Sequence, residues 1–245
     1  GRMEQSTRGA SVFRLSMARY AAGNSALAIP QLNVLQAPDG VVRFAGRVEA
    51  SGPLPGGATE NLRIPVDGRW QPGGSLALWN SCTPVAFDRL ELANLRFERK
   101  GLTICPASGR SIVSSGYGGL RIAAGTSALE LEGFLGETPI RIASGPVGLA
   151  YPGIMTARAL DISLGPADTA SRFRISDLTA RFGTDIAGTF DDAEVTLASV
   201  PLDIRNTSGD WSYAKGALAI SDGVFRLFDR QAEHDVGHIR LARDH

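Results

Sequence analysis

The stretch LTARFGTDIAGTFDDAEVTLASVPLDIRNTSGDWSYAKGALAISDG, residues Leu178 to Gly223, carries the grammar of the whole chain. Short runs alternate apolar and polar residues, a Gly- or Asp-rich corner follows, and another run begins. Ile186 and Phe190 share one face of an extended strand with Gly188 between them. Val195 pairs in phase with Leu197, Leu202 with Ile204, Trp211 with Tyr213, and Leu218 with Ile220. Successive strand side chains point to opposite faces, so each run has one apolar edge and one polar edge.

Outward from this stretch the pattern repeats. Ala37-Pro38-Asp39-Gly40 and Gln71-Pro72-Gly73-Gly74 read as tight turns, and Ser51 to Gly57 (SGPLPGG) as a breaker-rich loop. Pro65 inside the run Leu62–Val66 implies an edge or bulged position, because proline cannot donate to a ladder. Phase slips in Phe87–Glu98, Ile175–Leu178 and Leu197–Val200 predict β-bulges and a strongly twisted sheet. The alternation predicts roughly twenty strands at a spacing of about twelve residues, an all-β signature. Val12 to Tyr20 fits a strand better than a helix capped by Ser11. Ala167 to Phe173 is the best remaining candidate for a helical turn. Residues 1–10 are polar and expected to be disordered, with Gly1-Arg2-Met3 resembling a cloning remnant. Residues 11–245 then form one elongated segment of a larger protein.

Composition excludes several classes. Basic and acidic residues balance, 25 against 25, so no long-range attraction to nucleic acid or an anionic surface is implied. No window approaches 18 unbroken apolar residues, and no secretory signal is visible. His234 and His238 lie four apart in strand-like company and His245 ends the chain, a poor metal set. Asp185, Asp191 and Asp192 read as turn formers ahead of calcium ligands. The Gly-rich Ser114–Gly119 has no following helix or lysine to cradle phosphate. No G-x-S-x-G elbow or paired carboxylates mark an enzyme, so neither catalytic residue, metal nor cofactor is expected. The two cysteines, Cys82 and Cys105, are either inert thiols or a disulfide; the turn chemistry beside each favours the bond.

The apolar phase is rich in Leu, Ile and Val and poor in large aromatics. It fits either a closed sandwich or a folded-over sheet with an apolar trough. SGPLPGG (51–57), LRIPVDGRWQPGG (62–74), NSCTPVAFDRLELANLRFERKGLTICP (80–106), GGLRI (118–122) and LEGFLGETPIRIASGPV (131–147) resemble alphaproteobacterial members of the YdbH-like family, AsmA-like proteins of the Gram-negative envelope. The resemblance spans about Ala26 to Ser221. It implies a long, twisted, mostly antiparallel sheet folded into a U-shaped groove that carries phospholipid acyl chains across the periplasm. It also implies an inner-membrane anchor on the full-length protein, further segments of the same chain, and a small outer-membrane lipoprotein as partner. Both cysteines suit that oxidising compartment. On this reading the groove is lined by Leu90, Leu92, Leu120 and Ile122 in the first half. In the second half Leu129, Leu131, Ile140, Ile142, Leu160 and Ile162 line it, followed by Val195, Leu197, Leu218 and Ile220. The rivals are a structural or adhesive β-sandwich with a dry core and a β-rich carbohydrate-active enzyme, which would need paired acids in a cleft.

Overall fold

The structure is a computed structural model and describes residues 2–5, 9–54, 56–183, 185–214, 217–232 and 234–240. His245 and Leu241 lie outside them. The described residues form strands joined by turns and bends, and the pairings given below are antiparallel. The chain packs as two compact units, Gly1–Thr126 and Ser127–His245.

The first unit is a meander. β1 (Arg2–Gln5), β2 (Ser11–Ala22), β3 (Ser25–Gln36), β4 (Val42–Leu54) and β5 (Gly57–Trp70) pair in sequence order. The opening residues were expected to be disordered. Arg2–Gln5 instead pair with Ser11–Arg14. SGPLPGG is likewise no open loop: β4 and β5 stay paired to its tip, Leu54 against Gly57.

Beyond β5 the partner strand comes in two collinear pieces. β6 (Leu76–Leu78) pairs with Gly68–Trp70, and β7 (Thr83–Leu92) pairs with Gly57–Arg63. The next tier is split too: β7 pairs with β8 (Leu95–Pro106) and β6 with β9 (Val113–Gly116). β10 (Gly119–Thr126) closes both lanes, its first half on β9 and Ala124–Gly125 on β8. Phe87–Glu98 is therefore a hairpin and not one bulged strand. Leu92 faces Leu95 across the turn residues Ala93 and Asn94, and Ala93 has φ 53°. The apparent slip was a chain reversal.

Pro65 sits where β5 loses its ladder partner. Trp79 fills the gap: its indole Nε1 donates to the Pro65 carbonyl at 2.7 Å. A ring without an N–H is tolerated there because no ladder donor is needed on that edge.

The second unit repeats the meander. β11 (Leu129–Leu135) pairs with β12 (Thr138–Ser144). β12 and β13 (Val147–Tyr151) lie end to end against β14 (Ile154–Leu164). β15 (Ser171–Phe182), β16 (Ile186–Thr196), β17 (Leu202–Ala214), β18 (Ala217–Asp229) and β19 (His234–Arg240) follow in order. The expected helical turn at Ala167–Phe173 is a hydrogen-bonded reversal, Thr169 N donating to Pro166 O at 3.0 Å, and then strand.

A band of left-handed residues crosses the middle of these strands: Ala159 (φ 49°), Asp192 (φ 47°), Asn206 (φ 49°) and Asp222 (φ 52°). Three of the four are Asn or Asp, which tolerate this conformation because their short polar groups bond locally. Asp192 accepts the Ser176 hydroxyl at 2.9 Å. Asp191 and Asp192 were expected in a turn; they lie inside β16. Register shifts flank the band on β16 and β17. Two successive exposed residues mark the phase change on each of three strands: Arg158-Ala159, Ser176-Asp177 and Asp191-Asp192. The slip expected at Ile175–Leu178 is therefore present. The one expected at Leu197–Val200 is the turn between β16 and β17.

Candidate functional site

Residues paired directly across antiparallel strands share a face. In the second unit this rule assembles one unbroken apolar row. Leu131 faces Ile142, Ile142 faces Ile162, and Ile162 faces Phe173. Phe173 faces Val195, Val195 faces Ile204, and Ile204 faces Leu227. The row crosses seven strands. At about 4.8 Å per strand it runs about 29 Å.

The other residues expected on this surface fall around it. Leu160 faces Ile175, which faces Ala193. Ile140, 8% exposed, faces Gly133 and Leu164, while Leu129 faces Ser144. Leu218 and Ile220 lie beyond the bulge band. They pair with Tyr213 and Trp211, and Leu218 is 65% exposed. Leu197 lies just past β16, in the turn region. Trp211 lies opposite Gly188, and its indole Nε1 reaches over to donate to Thr179 O on β15 at 3.0 Å. The absence of a side chain at Gly188 leaves the room for that reach.

The first unit holds a matching row: Phe13, Val34, Phe44, Gly68, Leu78, Val113 and Ile122 face one another in turn. Gly68 leaves room there for its two neighbours in the row. A Cβ at that position would lie 2.6 Å from Phe44 Cζ and 2.7 Å from Leu78 Cδ2. Leu90 and Leu92 belong to the other lane, Leu90 between Thr59 and Phe97, Leu92 between Gly57 and Leu95. Leu120 faces Ser115 and is about half exposed.

Charges occupy the alternate positions. Arg174 bridges Asp161 at 3.7 Å and Glu194 at 3.5 Å, and Arg158 meets Asp177 at 3.2 Å. In the first unit Asp88 accepts from Asn61 at 2.8 Å and from Arg63 at 3.0 Å. These exposed pairs contribute little to stability. They keep the polar side wet and leave the apolar side as the face with something to cover.

The chain exposes 15510 Å². A compact protein of 25.9 kDa would expose about 10,500 Å², and two separate compact halves about 12,700 Å². Among the described residues no large side chain falls below 2% exposure. Most row residues are half-buried. The chain thus exposes more surface than a compact protein of its mass.

Cys82 and Cys105 are joined in a disulfide, and they stand opposite each other one step beyond the Thr83–Ile104 pair. No group of three or more His, Cys, Asp or Glu able to hold a metal occurs among the described residues. No described helix is long and apolar enough to cross a membrane.

Sequence reasoning picked Leu131, Ile142, Ile162 and Val195 from the second row but missed Phe173, Ile204 and Leu227. It picked only Ile122 from the first row. The missing signal was register. The turn Ala37–Gly40 was legible, and it pairs Gln36 with Val42; Val34 must then face Phe44.

The model of the YdbH-like family, described as intermembrane phospholipid transport protein YdbH, matches residues 3–241. No curated protein and no solved structure matches the chain.

Proposed function

The chain belongs to the YdbH-like family, and from that premise we propose that it shields phospholipid acyl chains along its apolar sheet faces during intermembrane transport. The observation that carries this reading is the surface excess beside two seven-strand apolar rows. Burying a methylene completely gains about 0.8 kcal/mol. An open face delivers only part of that to each methylene, and it delivers the same part again at the next strand. A tail is thus held without being fixed at one position. A bilayer's hydrocarbon core, about 30 Å thick, holds two tails end to end. One tail would therefore cover about half of a row.

On this reading the chain works in the periplasm as one groove-forming segment, the full-length protein is anchored in the inner membrane, and headgroups stay in water. Further segments of the same protein continue the groove, and a small lipoprotein meets it at the outer membrane.

A photo-crosslinker at Ile142 tests the reading, with one at Arg141, on the opposite face, as control. Ile142 should capture phospholipid in cells several-fold more than Arg141. Equal capture at both positions, with no lipid in organic extracts of the purified chain, would replace the conduit with a dry structural domain.

A further inference from the structure

Between Arg63 and Gly68 β5 advances five residues, while its partner covers eight, from Ala86 back to Leu78. In the next tier the chain covers five residues from Leu78 to Thr83, and its partner nine, from Val113 to Ile104. The surplus leaves the ladder as two excursions, one around Asn80–Cys82 and one at Ala107–Ser111. Among the described residues a line of backbone bonds crosses the sheet between the lanes, with Ala107 N donating to Ala123 O at 3.3 Å beside it. Trp79 N donates to Asp67 O at 2.9 Å, Ile112 N to Trp79 O at 2.9 Å, and Ala123 N to Ile112 O at 2.8 Å. The excursions also touch through Ser111 Oγ and Asn80 Oδ1 at 2.6 Å.

The disulfide stands where the excursions rejoin the ladder. Cys82 is exposed, and Cys105 pairs on its other side with Gly125. By alternation both cysteines occupy the face opposite Thr83, Val85 and Phe87, and Thr83 and Phe87 are buried. The bond is therefore on the outer side, open to thiol reagents, and away from the apolar row.

We infer that Cys82–Cys105 is a redox-closed clasp that pins β7 to β8 where the two excursions leave the ladder, so that the neighbouring 107–126 stretch keeps its place beside the Leu90–Phe97 lane only in the oxidised chain. Closure takes two thiols to one disulfide. The two electrons and two protons pass to a disulfide-bearing oxidant by thiol–disulfide exchange, which leaves that oxidant as a dithiol. A local clasp is the reading because the bond joins adjacent tiers of one unit. The second unit has no cysteine and achieves continuity differently: β12 and β13 keep one register on β14, Ala143 against Asp161 and Val147 against Ala157. The inference does not depend on lipid.

Hydrogen exchange on the intact chain, oxidised and after phosphine reduction, tests it. Peptides covering 107–126 should exchange at least tenfold faster in the reduced chain, and peptides covering 154–182 should not change. The Cys82→Ser/Cys105→Ser chain should match the reduced protein. Unchanged exchange at 107–126 would overturn the clasp. Acceleration in both units together would also overturn it, since the bond would then support the whole chain and not the break.

Discussion

The two units solve one problem in partly different ways. Each lays a seven-residue apolar row across its strands, and each must bend the sheet without losing the row. The second unit bends within its strands: Ala159, Asp192, Asn206 and Asp222 adopt left-handed backbone in the middle of β14, β16, β17 and β18. The apolar phase shifts there by one residue, and pairing continues on both sides. The first unit carries bulges too, with Asn61 left-handed (φ 48°) inside β5, and in addition lets two strands leave the sheet and return, with a covalent bond at the place. In-strand strain is a device both units share, and the excursions with their cross-link are the first unit's addition. The costs differ accordingly, because each left-handed non-glycine residue is a small local cost, whereas a long excursion leaves backbone groups that must find other partners.

The largest effects should come from glycines that both units need alike. A Cβ on Gly57 would overlap the Glu91 carbonyl, and one on Gly188 the Thr179 carbonyl. Gly57→Ala and Gly188→Ala should each cost about 3 kcal/mol, near the top of the overpacking range, measured by urea unfolding. Gly237→Ala, with open space around it, is the control. Tolerance at one of the two sites would mean that the units are not built alike.

Removing the cross-link sharpens the contrast. The Cys82→Ser/Cys105→Ser chain should lose about 3 kcal/mol on the loop-entropy model. Thermal unfolding followed by calorimetry should then split, with the first unit melting ahead of the second. A single transition shifted as a whole would make the bond a support of both units.

The tryptophans supply a subtler test, since each unit has an indole N–H bonded to a sheet carbonyl. Trp79→Phe and Trp211→Phe should each cost about 1 kcal/mol, the net worth of one hydrogen bond. A clearly larger loss at Trp79 would show that the gap at Pro65 depends on that one side chain. Smallest of all, Arg63→Ala and Arg174→Ala should each change stability by less than about 1 kcal/mol, because their ion pairs are exposed.

The sequence by itself determined the all-β class, most strand centres, the turns at Ala37–Gly40 and Gln71–Gly74, the exceptional setting of Pro65, and the slip at Ile175–Leu178. Alternation and turn chemistry are local, and neighbouring residues report them. The disulfide was favoured from the same local signals. The tertiary structure decided which apolar residues meet. Phe173 joins Val195, and Phe13 joins Val34, only because the register of each hairpin brings them together. The break between β6 and β7, and the alignment of the left-handed residues into one band, likewise arise from pairing between strands. A Phe or an Asp in a strand carries no mark of the residue that will face it across the sheet.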